Sequence, residues 1–293
     1  MVLLGCNADA GRTRGSRGRK IAPVVSTEWL AKNIKLENLV KLDVRPADMY
    51  ESGHLPGAVN APVDRWITER DGLLLEVPEK EELFSLIGAC GMTPASIVVL
   101  VSSLPGPGEP PYPLADCNRV ADTLIYAGIK NVAVLDGGYD KWAAEGREVT
   151  TDVPEIKAVA YDGKINRDIF VSRDYVKNRI GKAVIADCRD TEVYTGEIIE
   201  PYANKAGHIP SAKSLPAPAI WNENGLYKDV EELRKMASAV IDSKDKEVIV
   251  YCGVGGYASS WWYVLTQMLG YDNVKFYDGS AQEWVRENDM TLD

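Results

Sequence analysis

The sequence has no apolar run near the ~18 residues a membrane-spanning helix needs, no Cys-x-x-C pair and no surplus of positive charge. The first absence argues against a transmembrane segment. The second matters because the five cysteines, Cys6, Cys90, Cys117, Cys188 and Cys252, are an odd number without paired spacing. They suggest neither a disulfide framework nor a zinc site, and at least one thiol stays free. The third sets aside nucleic acid and anionic membranes as partners, since a formal net charge of -10 supplies no basic face to bind phosphates.

The one basic cluster, Arg12, Arg14, Arg17, Arg19 and Lys20, lies in a Gly-rich stretch without apolar periodicity, and residues 1–22 read as a flexible tether. Its start, Leu3-Leu4-Gly5-Cys6, resembles a bacterial lipoprotein box, although the apolar run before Gly5 is shorter than an export signal needs. A genuine box would make the protein periplasmic or membrane-anchored through Cys6; otherwise it is expected in the cytoplasm.

At 293 residues the chain is long enough for two domains, and internal similarity supports that division. Val25-Ser26-Thr27-Glu28-Trp29-Leu30 is echoed by Val171-Ser172-Arg173-Asp174-Tyr175-Val176, each with a Ser N-cap and an acidic residue in the first turn. Leu42-Asp43-Val44-Arg45 is echoed by Ala186-Asp187-Cys188-Arg189, and Gly53-His54-Leu55-Pro56 by Gly207-His208-Ile209-Pro210. The spacing between those two blocks is ten residues greater in the second copy, which places an insertion near Gly196 to Lys205. Asp136-Gly137-Gly138 with Trp142 returns as Asp278-Gly279-Ser280 with Trp284.

Short apolar runs at residues 39–42, 97–101, 132–135, 184–186, 248–251 and 274–277 read as strands buried on both faces of a sheet. After Ala258, the spacing of Trp261, Trp262, Val264, Leu265, Met268 and Leu269 predicts an amphipathic helix ended by Gly270. The fold class is therefore α/β, with two domains that are each a mostly parallel sheet flanked by helices. They span residues 23–147 and 168–293, with a linker over 148–167.

In such a sheet, ligands bind beyond the carboxyl ends of the strands. Cys252 sits there, after the strand 248–251, and is followed by Gly253-Val254-Gly255-Gly256-Tyr257 and then a helix. Glycines let successive backbone N–H groups turn inward as a nest, and a helix N-terminus adds partial positive charge. This arrangement is expected to lower the Cys252 thiol pKa and to hold a Cys-S-S⁻ persulfide. Against it stands the ordinary role of a free cysteine as a small buried hydrophobe. A cysteine phosphatase is disfavoured, because the arginine its loop needs six residues after the cysteine is here Ala258.

Taken together, the two Asp-x-Arg blocks, the two Gly-His-x-Pro blocks, Cys252-Gly253-Val254-Gly255 and the Asp-Gly…Trp endings resemble the rhodanese superfamily. The resemblance is to its tandem thiosulfate and mercaptopyruvate sulfurtransferases, from about Val24 to Trp284. It implies ping-pong transfer of sulfane sulfur through a Cys252 persulfide, from a small-molecule donor to cyanide, a thiol or a thiol-carrying protein, without cofactor or metal. Thiosulfate is the expected donor and 3-mercaptopyruvate the alternative. A non-catalytic persulfide carrier serving a protein partner is the third reading. In the family, thiosulfate enzymes carry Arg and Lys after the cysteine and mercaptopyruvate enzymes carry Gly and Ser; Gly253 and Val254 match neither. A second arginine often stands four residues beyond the Asp-x-Arg arginine, and here that residue is Val193.

The first copy has Ser102-Ser103-Leu104-Pro105-Gly106-Pro107 in place of the cysteine loop, and its prolines remove donors that a nest requires. It reads as catalytically silent, a wall to the cleft. Asp187 is expected to accept hydrogen bonds from the Cys252 loop backbone. Arg189 either meets the substrate's charge or pairs with a neighbouring carboxylate. Tyr257 and Trp221 either line the pocket mouth or pack in the core. His54 and His208 occur in both copies and read as structural, Cys90 and Cys117 as core, and Cys188 as a buried thiol rather than a resolving one.

Overall fold

The computed structural model describes residues 19–292. The first half holds β1 (Val24–Val25), β2 (Leu39–Asp43), β3 (Val59–Asn60), β4 (Thr68–Arg70), β5 (Leu73–Glu76), β6 (Ile97–Val101) and β7 (Asn131–Leu135). The second holds β8 (Phe170–Val171), β9 (Val184–Asp187), β10 (Ala212–Ser214), β11 (Val248–Tyr251) and β12 (Val274–Tyr277). Each half is a parallel five-stranded sheet, in the orders β1-β7-β6-β2-β3 and β8-β12-β11-β9-β10, and β4–β5 is a separate antiparallel hairpin. The central strands β6 and β11 are buried at every position, as unbroken apolar runs require when helices cover both faces of a sheet. Their register sets the site, because Asp43 lies beside Val101 and Asp187 beside Tyr251, so the Asp-x-Arg block begins level with the residue before Ser102 or Cys252.

The helix expected after Ala258 begins at Gly256 and runs to Tyr263, then widens into a π turn over Val264–Met268. The Thr266 hydroxyl donates to the Trp262 carbonyl at 2.7 Å, competing for the acceptor an α-helix would use, while Leu269 N reaches back five residues to Val264 O. Among the described residues no helix is long and apolar enough to cross a membrane.

The two halves meet through matching helices, Tyr112–Tyr126 and Gly256–Tyr263, which pack on each other. Buried in that seam, Arg119 forms an ion pair with Asp278 at 2.6 Å. The β4–β5 hairpin crosses to the second half, where Leu74 N and O bond the Gln282 side chain, both at 2.9 Å, and Val77 N bonds Asp278 at 2.9 Å. Residues 151–166 lack regular secondary structure but strap the first half, with Val159 N on Gly88 O, Tyr161 OH on Ala127 O and Asn166 N on Tyr126 O.

Two expectations about the amino-terminal segment need comment. Arg19 and Lys20 do not belong to a loose tether: Arg19 donates to Val132 O and Gln267 Oε1, both at 2.6 Å, and Lys20 N donates to Asn131. A guanidinium that finds two acceptors on the folded surface holds the chain against it. Cys6, Arg12, Arg14 and Arg17 lie outside the described residues.

Candidate active site

Cys252 follows β11 directly and is 3 % exposed. Its backbone is fixed from the opposite side by the turn after β12. Cys252 N donates to Ser280 Oγ at 3.2 Å, Ala281 N donates to Cys252 O at 2.9 Å, and Gln282 N donates to Gly253 O at 3.0 Å. Ser280 holds a φ of 51°, and its hydroxyl in turn donates to Tyr277 O. With its ends tied in this way, the loop turns the Gly255 N–H onto the sulfur at 3.1 Å, and the backbone N–H groups of Val254 and Ala258 also favour the sulfur anion. Gly255 adopts φ 94°, a left-handed conformation in which a side chain is strained. The nest read from the glycine spacing is present, and Ala258, the residue that argues against a phosphatase, contributes one of its donors.

The expected fall in the Cys252 pKa is overturned. Burial pushes the thiol up and the Glu200 carboxylate adds to the rise, while the three N–H groups pull it down without prevailing. Burial is the larger cause, and no cation offsets it, because the guanidinium behind the loop is paired with carboxylates. Arg189 is engaged through four of its five N–H donors, with Nε and Nη2 on the Asp187 carboxylate at 2.9 and 2.5 Å, Nη2 also on Gly207 O at 2.8 Å, and Nη1 on Glu200 at 2.9 Å. Of the two roles left open for Arg189, carboxylate pairing is the one observed. Asp187 does not hold the Cys252 loop through that loop's backbone. It accepts from Arg189 and from the Tyr251 hydroxyl at 2.6 Å, so it acts on the nucleophile only through the preceding residue.

The cleft over Cys252 measures about 560 Å³. From the second domain it is lined by Arg189, Asp190, Val193, the insertion residues Ile198 to Tyr202, and Gly253, Val254, Gly256 and Tyr257; from the first it takes Leu75, Tyr112, Ala115 and Asp116. The first domain therefore walls the cleft. Tyr257 lines the mouth and stacks on Tyr112 with ring centroids 5.5 Å apart. Trp221 does not line it, being packed in the second-domain core instead. Burial raises the carboxyl pKa values of Asp116, to about 6, and of Asp190 and Glu200.

Cys188 is buried, bonds Ala186 O at 3.7 Å, and has its thiol pushed well up by burial first and the neighbouring Cys252 second. Burial likewise raises Cys90 to about 11 and Cys117 to about 12. His54 stacks on Tyr50 and His208 on Tyr194, with ring centroids 3.7 and 3.9 Å apart, and neither lines the cleft. Glu200, Ser280 and Asp116 were not singled out from the sequence. Glu200 lies in the ten-residue insertion, and Ser280 in the repeated Asp-Gly block, so each had a positional signal without a chemical one.

The Rhodanese-like domain profile matches residues 26–145 and 172–287. The sulfur carrier protein TtuD of Thermus thermophilus is 32% identical over 281 residues, covering 89% of this chain and 93% of that protein. A Saccharopolyspora erythraea protein provisionally named a thiosulfate sulfurtransferase is 31% identical over 274 residues, covering 89% of this chain and 92% of its own. SseA of Escherichia coli, a 3-mercaptopyruvate enzyme, superposes with a TM-score of 0.75 at 25% identity, over 89% of this chain and 99% of that one. An anaerobic ergothioneine biosynthesis enzyme from Chlorobium limicola shares the fold at a TM-score of 0.79 and 22% identity, over 92% of this chain and 70% of that one. A profile matched twice in tandem, with relatives aligned over almost their whole lengths, makes this chain a two-domain member of the rhodanese sulfurtransferase family.

Proposed function

We propose that the protein transfers sulfane sulfur from thiosulfate to a thiophilic acceptor, cyanide or a thiol, through a persulfide on Cys252. The observation that carries this reading is the Gly255 N–H bonded to Cys252 Sγ at 3.1 Å on the floor of a cleft, with the Val254 and Ala258 N–H groups also favouring the sulfur anion. The thiolate attacks the outer sulfur of thiosulfate, a new S–S bond forms, and the old one breaks as sulfite leaves with its electron pair. The acceptor then attacks the terminal sulfur, and the electron pair of the S–S bond returns to Cys252. The N–H nest offsets negative charge on sulfur in both half-reactions without reorganising.

A protein acceptor is the second reading, favoured by the exposure of Tyr112, Ile198, Ile199 and Tyr202 around the cleft mouth, an apolar rim of the kind that partners cover. The deciding measurement is thiocyanate production from thiosulfate and cyanide by the native chain and Cys252→Ala, with the mass of the Cys252 peptide followed after thiosulfate alone. Native turnover, a gain of one sulfur on Cys252 and loss of both in the variant are expected. A native chain that gains no sulfur from thiosulfate overturns the thiosulfate reading, and a Cys252→Ala chain that keeps its activity overturns the nucleophile.

A further inference from the structure

Among the described residues Arg189 is the one positively charged side chain lining the cleft, against the carboxylates of Asp116, Asp190 and Glu200. Its fork is already shared between Asp187, the Gly207 carbonyl and Glu200. An incoming anion therefore meets a lining of net negative charge and a cation with only one N–H, on Nη1, left uncommitted. Among the three carboxylates Glu200 has a special position. One oxygen takes Arg189 Nη1 at 2.9 Å, and the other lies so close over Gly253 that a β-carbon there would collide with it. The carboxylate thus spans from the guanidinium to the loop that carries the nucleophile.

Glu200 is also specific to the catalytic copy. In the first domain Arg45 makes the same pair with Asp43 and the same bond to a glycine carbonyl, Gly53 O at 2.9 Å, but the Tyr139 ring lies under its guanidinium, 3.8 Å from the centroid. The insertion that supplies Glu200 carries Ile198, Ile199 and Tyr202 exposed to solvent.

We propose that Glu200 is a specificity-determining residue of the sulfur-transfer site. Its carboxylate occupies the anion position between Arg189 and the Gly253 backbone. A donor with an anionic head must displace it, whereas a reagent without one enters the cleft unopposed. This rests on Cys252 being the reactive sulfur and adds the charge class that the cleft selects. Thiosulfate is on this view a donor with a high KM, and uncharged or cationic thiophiles are the acceptors the cleft suits best.

The test is alkylation of Cys252 in the full chain by iodoacetate, which is anionic, and iodoacetamide, which is neutral, followed by the mass of the Cys252 peptide. The same thiolate attacks the iodine-bearing carbon of both reagents, with iodide leaving, so the thiolate fraction cancels in the ratio of their rates and a change in that ratio between variants reads the charge of the cleft. Glu200→Gln is expected to raise the iodoacetate-to-iodoacetamide ratio on the order of tenfold, since a like charge within a few ångströms of the approach is removed. It should also lower the thiosulfate KM with little change in kcat. Glu200→Ala should act in the same direction. Glu197→Gln, an equal change in net charge within the same insertion, should leave the ratio as it was. An unchanged ratio in both Glu200 variants overturns the proposal, as does an equal rise in Glu197→Gln, which would assign the effect to overall charge. Alkylation needs no sulfur donor, so a protein that forms no persulfide would overturn the proposed function and leave this ratio to be read independently.

Discussion

The two domains share a frame and differ in what their loops do with backbone N–H groups. Ser102 and Cys252 each follow the central strand of their sheet, and Tyr139 N holds Ser102 O at 2.8 Å as Ala281 N holds Cys252 O. In the second domain Val254, Gly255 and Ala258 turn their N–H groups onto the sulfur. In the first, Leu104 N is spent on Asp140 and Gly106 N on Glu109, while Pro105 and Pro107 have none to offer. Ser102 is 2 % exposed beneath that loop. What the silent copy lost is therefore the nest as well as the nucleophile, and what it kept is the Asp-x-Arg frame and a wall of the working cleft.

The sharpest way to break this comparison is to move the nucleophile. Cys252→Ala combined with Ser102→Cys is expected to remain as inactive as Cys252→Ala alone, at least about a thousandfold below the native thiocyanate rate, because no nest stabilises a sulfur anion at position 102. Recovery of turnover would show that the frame suffices without the loop. The next largest effect concerns the seam. Arg119→Ala leaves Asp278 buried without its cation and should cost about 3 to 5 kcal/mol in urea unfolding. Because the Arg119 guanidinium also stands behind Gly255, thiosulfate turnover should fall with it. A stability loss with full activity would make the two domains energetically joined but catalytically separate.

The smallest expected effect is a pH dependence at the same seam. Glu76, at the end of the crossing hairpin, is raised to about 7 from the ordinary 4.5, by burial first and the Asp278 charge second. A carboxyl that binds its proton more tightly folded than unfolded favours the fold below its ordinary value. That advantage is lost as pH rises through about 7. The native urea midpoint should therefore decline between those values, and Glu76→Gln should flatten the decline.

Much of this was legible in the sequence, for identifiable reasons. The central strands β6 and β11 are apolar throughout because helices cover both sheet faces, and β2, β7, β9 and β12 are mostly apolar, so these six stood out, while β1, β3, β8 and β10, at two or three residues each, carry no pattern to read. Cys252 and its loop were legible because a nest needs glycine at particular positions, and Gly255 at φ 94° bears that need out. Arg189 was half legible: the sequence offered two roles for it, and the partner that decided between them sits in an insertion with no strand or helix to phase it.

The sequence by itself determined a repeated α/β frame, a cysteine at the end of a central strand and a glycine-rich loop after it, because each of these depends on local backbone geometry. The tertiary structure alone decided the electrostatics of the site. Glu200 over Gly253, Arg119 behind Gly255 and Asp116 across the cleft reach Cys252 from other elements, and charge acts through space rather than along the chain. For that reason the thiol, read as lowered from its loop, is raised in the folded protein by burial and by the Glu200 carboxylate.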